Sequence, residues 1–353
     1  MENNIKYKSA SFLDKYDTIL FDMDGVITSE EAYWKSAALT LFEFLNSKKY
    51  YGSKDIDAGR CMLMADELTE KYFCDGRIIK FIKNKGINNN WDLAYIVLAV
   101  YFHIDEEDNF EAVLDYLKEL DMDGKEMCDH AGKLLSEELC VPLEHVKRFG
   151  DFWTEIQHCF QEWFLGNRLF QKEWFVPSTQ EGKTGLMYME KPIVDKEKLS
   201  IMLETLSKTH TLGIGTGRPI TEAISALEGF NIRKYFDESR IISHNYIVNA
   251  EENLKEKGKP LVLAKPHPFM FLKGTFGAEI SDYDILEGKY DKDRCLRTLV
   301  VGDAVCDLDA AFAGGCDFAA VLTGVQKKDA KDVFIAKKAT YILDDILSLV
   351  KEV

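Results

Sequence analysis

The sequence predicts an α/β protein in which a parallel sheet, covered by helices on both faces, is interrupted near its start by a long helical insertion. Three observations lead there. Residues 17–22, DTILFD, form a short apolar run of strand formers that ends abruptly in carboxylates and glycine. That is the pattern of a buried parallel strand running into a functional loop. From about residue 31 to 185, apolar positions recur at helical spacing, as in AALTLFEFL, DLAYIVLAVYF, FEAVLDYLKEL and DFWTEIQHCFQEWFL. Most of the tryptophans fall in this block and strand-like runs are nearly absent from it, so it is read as predominantly helical. After about residue 193, strands and helices alternate, which implies a parallel sheet.

In chain order, VDKEKLSIMLETLSK reads as a helix leading into the apolar run TLGIGTG. A second helix is expected from Pro219, a favoured first helical residue. Further strand-like runs are RIISHNYIV, RTLVVGD, DFAAVLTG and ATYIL. The segment LKGTFGAEISDYDILEGKYDKDRC is rich in Gly and Asp and reads as a surface excursion. The first strand has no companion inside the helical block, so it must pair with strands far downstream. The expected boundaries are therefore a core of residues 1–30 and 186–353 with a helical domain, 31–185, inserted into it.

Composition narrows the function classes. The 353 residues are 46% hydrophobic and 29% charged, ample for a sizeable core. Sixty acidic against 44 basic residues give a formal charge of −16. Such a surface opposes nucleic acid or an anionic membrane as partner, and an anionic substrate must be drawn in by local charge. No apolar run approaches the roughly 18 residues of a membrane span, and the N-terminus lacks an apolar secretory core. Eight scattered cysteines without a C-x-x-C pair read as free thiols of a cytoplasmic protein.

Four short segments can do chemistry. In Phe21-Asp22-Met23-Asp24-Gly25, two carboxylates at i and i+2 follow a buried strand, where α/β sheets place ligands. Unpaired there, they require a cation or a reaction; the alternative is an ordinary strand-ending turn. Asp121-Met122-Asp123-Gly124 repeats the same letters but follows an amphipathic helical run, and reads as a solvated helix-ending turn. Gly215-Thr216-Gly217-Arg218-Pro219 ends a strand where a helix opens, which suits an anion cradle as well as a plain glycine-rich turn. Arg218 reads as a substrate contact or a structural salt bridge. Lys265 precedes Pro266 in an extended segment, and its weight comes only from its order relative to the others. His267 reads as structural. Gly302-Asp303 ends another apolar run, with Asp307 four residues on; two acids there pose the same electrostatic problem, which a hard divalent cation solves.

In that order, the DxDG, TG, KP and GDxxxD elements resemble the haloacid dehalogenase (HAD) superfamily, over residues 14–30 and about 193–353. An insertion directly after the first element resembles the helical C1-type cap of subfamily I, as in phosphoglycolate phosphatases and β-phosphoglucomutases, although this one is enlarged. GINNNWDL, QEWFLGNRLF and GLMYMEKPIV also resemble pieces of phosphatase-like members. The resemblance implies a Rossmann-like core and a Mg²⁺-dependent phosphatase acting on a small phosphorylated metabolite. Asp22 would be the nucleophile, forming an aspartyl-phosphate, and Asp24 the general acid and base. Mg²⁺ would be held by Asp22, the Asp24 carbonyl and Asp303. Thr216, Gly217 and Lys265 would bind the phosphoryl group, with Asp307 orienting Lys265 or the metal waters. The alternatives are a phosphomutase of the β-phosphoglucomutase type, or a non-catalytic binding protein on the same frame. In the cap, Asn88, Asn89 and Trp91 are candidates for substrate contact; a helix-capping loop with Asn90 as cap is the competing reading.

Overall fold

In the computed structural model, residues 7–87, 89–104, 106–325 and 327–352 are described. Contacts divide the chain into two compact units, one of residues 1–29 and 190–353, the other of residues 30–189.

The first unit is built on a six-stranded parallel sheet. Its strands are β2 (Thr18–Phe21), β3 (Thr211–Gly215), β4 (Ile241–Ile242), β5 (Thr298–Gly302), β6 (Asp317–Val321) and β7 (Tyr341–Leu343), in the order β4-β3-β2-β5-β6-β7. A separate antiparallel pair joins β1 (Tyr7–Ser9) to β8 (Val350–Glu352). β2 is central: Phe21 is level with Ile214 of β3 on one side and Val301 of β5 on the other. Its residues alternate between two cores. Ile19 and Phe21 pack with Ile214, Val301 and Leu203, whereas Leu20 packs with Val300, Phe271 and Phe318. Both faces are thus covered, which is why the strands read as continuous apolar runs. Helices Lys196–Ser207 and Ile220–Gly229 serve the first core, and helices Phe269–Phe276 and Val305–Ala313 the second.

The second unit is helical throughout its described regular structure, with long helices at Glu31–Asn46, Asn90–Ile104, Gly124–Glu138 and Asp151–Leu165. Phe44, Tyr95, Phe160, Trp163 and Phe164 are fully buried in its core. Lys183 is also fully buried, its Nζ 2.8 Å from Glu43 and 2.7 Å from Glu162.

Three local expectations are corrected. RIISHNYIV is a strand only at Ile241–Ile242; from His244 to Glu256 it is a helix, because Ile247 and Ala250, three residues apart, supply a buried helical face. The presumed surface excursion begins inside the buried helix Phe269–Phe276, and Leu272, Gly274, Thr275 and Phe276 are core residues. Pro219 sits one place earlier than expected, as the residue before the helix Ile220–Gly229.

Candidate active site

The carboxyl ends of β2, β3 and β5 converge. The ladder continues one step past the strand, with the Asp22 N–H donating to Val301 O at 2.9 Å, so Asp22 leaves the sheet between its two neighbours. Its own carboxylate accepts the Met23 N–H at 2.8 Å, which fixes its direction. Asp303 leaves β5 beside it, and Asp307 lies in the first turn of the helix Val305–Ala313. Oxygens of Asp22, Asp303 and Asp307 all lie within 4.8 Å of one another. An all-oxygen donor set of this kind fits a hard divalent cation.

Lys265 reaches into this acidic cluster. Its Nζ is 3.0 Å from Asp22 Oδ1 and 2.7 Å from Asp307 Oδ1, and it lies 5.0 Å from the Phe271 ring centroid. Burial works against its charge, but the carboxylates of Asp22 and Asp307 outweigh that and keep it protonated well above its ordinary range. Asp22 shows the opposite balance. Burial raises its carboxyl, Lys265 pulls it down, and Asp307 and Asp24 push it up again, leaving it at about 7. A carboxylate held this high where carboxylates crowd is stabilised by a bound cation.

Two glycines make room for Asp303. Gly25 has φ +73°, and a Cβ there would lie 2.4 Å from Asp303 Oδ2. A Cβ on Gly324, in the loop after β6, would lie 2.0 Å from the same atom. That loop is tied to the first by Thr323 Oγ1, which donates to Gly25 O at 2.5 Å.

At the end of β3, Thr216 is buried, and its Oγ1 accepts the Arg218 N–H at 3.1 Å. Gly217 is exposed with open space around its Cα. Arg218 is buried and binds Asp24 through Nε and Nη2, at 3.1 Å and 2.5 Å from Oδ1. His267 Nδ1 accepts the Phe269 N–H at 3.2 Å, a local contact. The structure therefore brings Asp22, Lys265, Asp303 and Asp307 into direct contact range, sets Thr216 on the adjacent strand end, and engages Asp24 with Arg218.

The remaining predicted contact residues belong to the second unit. Asn88 lies outside the described residues. Asn89 Oδ1 accepts the Trp91 N–H at 2.8 Å where the helix Asn90–Ile104 begins, so the capping contact is made by Asn89, not Asn90. Trp91 Nε1 donates to Gln161 at 3.3 Å. In the second DMDG copy Asp121 is exposed, and Asp123 caps the helix Gly124–Glu138 in a reciprocal pair with Glu126.

A family model described as HAD-hydrolase-like matches residues 262–349, the stretch that carries Lys265, Asp303 and Asp307. Over that stretch the chain is similar to HAD-like hydrolases. No curated protein matches it in sequence. Among solved structures, a structural-genomics X-ray structure is 27% identical, covering 94% of this chain and 97% of that one, with a TM-score of 0.77. A phosphatase from Thermococcus thioreducens is 17% identical over 85% of this chain and 90% of its own, TM-score 0.47. A predicted phosphoglycolate phosphatase from Haemophilus somnus is 14% identical over 94% and 95%, TM-score 0.46. Glu190, Thr323 and Gly324 make contacts around the site that no sequence motif assigned to them. Glu190 and Gly324 lie in segments already quoted, GLMYMEKPIV and DFAAVLTG, but act through residues distant in sequence.

Proposed function

We propose that the protein is a Mg²⁺-dependent phosphatase of the subfamily I type, hydrolysing a small phosphorylated metabolite through an aspartyl-phosphate. The observation that carries this reading is the position of Lys265 Nζ. It lies between Asp22 and Asp307 beside Asp303, at the carboxyl end of a parallel sheet. Together with Mg²⁺ bound to the acids, Lys265 would make a local cationic spot in a chain of charge −16. Asp22, oriented by the Met23 N–H, attacks phosphorus and displaces the leaving oxygen. Asp24 gives its proton to that oxygen and later takes one from the water that cleaves the Asp22–phosphorus bond. Lys265, the Gly217 N–H and the Thr216 hydroxyl hold the transferring oxygens. Asp22, the Asp24 carbonyl and Asp303 would hold Mg²⁺, which would supply charge neutralisation for the transferring phosphoryl group. Asp307 orients Lys265.

The test is phosphate release from p-nitrophenyl phosphate and a panel of phosphometabolites, with MgCl₂ or with excess EDTA. Turnover with Mg²⁺ and its loss in EDTA are expected. Full activity in EDTA overturns the metal requirement. Isomerisation of a sugar phosphate in place of phosphate release overturns the phosphatase reading in favour of a mutase.

A further inference from the structure

Asp24 is not alone in holding Arg218. The guanidinium is 1% exposed and lies between two carboxylates. On one side it grips Asp24, with Nε 3.1 Å from both oxygens and Nη2 2.5 Å from Oδ1, and Nη2 also donates to Thr28 Oγ1 at 3.0 Å. On the other side Glu190 approaches, Oε2 at 3.1 Å from Nη1 and Oε1 at 2.7 Å from Nη2. The two acids differ in setting. The Asp24 side chain is 30% exposed, whereas that of Glu190 is 1% exposed. One buried guanidinium needs one counter-charge, and here a second is supplied by a residue that no part of the chemistry uses.

We propose that Arg218 and Glu190 form a positioning pair for Asp24: Arg218 anchors its carboxylate, and Glu190 keeps Arg218 neutralised when Asp24 turns to the reacting oxygen. The inference rests on the phosphatase reading above. A carboxylate engaged at both oxygens by a guanidinium is a poor proton donor, so general-acid action requires Asp24 to leave Arg218. Leaving would strand a buried cation, a costly state. Glu190 removes that penalty because it is sealed in place and stays. The proton balance is that of the two half-reactions. In the first, Asp22–P forms, the P–O bond to the leaving group breaks, and the Asp24 proton goes to the leaving oxygen. In the second, water forms the new P–O bond, Asp22–P breaks, and the water proton returns to Asp24.

The test uses a series of substituted phenyl phosphates from 4-nitrophenyl to 4-methoxyphenyl, of similar size but different leaving ability, with Mg²⁺. In Glu190→Gln, Arg218 loses the Glu190 charge while its two-oxygen contact with Asp24 stays, so Asp24 is held fast. We expect kcat/KM for 4-methoxyphenyl phosphate to fall about 10²-fold, within the usual worth of general acid catalysis. For 4-nitrophenyl phosphate, whose leaving group needs no proton, kcat/KM changes by less than about threefold. Because the second half-reaction also loses its base, a burst of nitrophenolate equal to the enzyme concentration should precede slow turnover. Arg218→Lys, which keeps the charge but loses the bidentate grip, should show the same trend more weakly, and gives the answer if the first variant fails to fold. Asp24→Asn calibrates the pattern. An equal loss across the whole series without a burst overturns the proposal. Inertness of the wild type toward every member, and toward the metabolite panel, removes the phosphatase reading and this pair's role with it.

Discussion

Replacing Asp22 by Asn should abolish turnover and yet stabilise the cation-free protein at alkaline pH. In the unfolded chain the Asp22 carboxyl ionises near 3.8, and in the fold it is raised to about 7, chiefly by burial. Between those values the folded state binds more protons than the unfolded one, so stability falls as pH rises through the window. The stabilising contribution is fully present below about pH 4 and lost above about pH 7. The difference between 3.8 and about 7 corresponds to on the order of 4 kcal/mol above pH 7. Asn keeps the shape and the acceptor for the Met23 N–H but carries no charge, so it escapes this cost. The assay is denaturant unfolding of wild type and Asp22→Asn in EDTA from pH 4 to 9. The two should converge at the acid end and separate toward pH 8, with the variant more stable. Mg²⁺ at about 100 times its Kd should raise the wild type by about 2.7 kcal/mol and the variant by less. Parallel curves, or a less stable variant at pH 8 in EDTA, would refute the claim that burial of the Asp22 charge strains the empty cluster.

The two DMDG copies should separate cleanly: Asp22→Asn loses at least about 10³ in kcat on a phosphoester, whereas Asp121→Asn, on an exposed loop, stays near wild type and within about 0.5 kcal/mol in stability. Gly324→Ala puts a Cβ against Asp303 Oδ2 and should raise the Mg²⁺ concentration for half-maximal activity by roughly 10–100-fold, read from a metal titration. Lys183→Met leaves Glu43 and Glu162 buried without their cation and should cost about 3–5 kcal/mol in denaturant unfolding.

How far these features were legible in the sequence follows from the range of the interactions behind them. β2, β3, β5 and β6 are visible because a strand buried on both faces needs an unbroken apolar run, and the acids at their ends are conspicuous by contrast. The different settings of Asp22 and Asp121 were likewise readable from context, one following a strand and the other a helix. RIISHNYIV misled because Ile241 and Ile242 belong to a strand while Ile247 and Ala250 belong to a helix, and both patterns share one short window. β1 and β8 have three residues each, too few to show a period. Glu190 was invisible for a different reason: its partner Arg218 is 28 positions away, and a carboxylate before Lys191-Pro192 looks like surface until the fold buries it.

The central place of β2 has a kinetic consequence. Thr18 must wait for Thr211 on one edge and for Thr298 on the other, whereas residues 30–189 are continuous in sequence. During synthesis the helical unit has all its partners available before the sheet has any second strand. The apolar β2 segment is made early and paired late, a long-range closure of the kind that slows folding and leaves strand edges open to intermolecular pairing. Inserting the helical unit after the Asp22–Asp24 loop thus makes assembly of the proposed catalytic centre a late event. It cannot be complete until Asp303 has emerged, and the β1–β8 ladder joins the two ends of the described chain only after that.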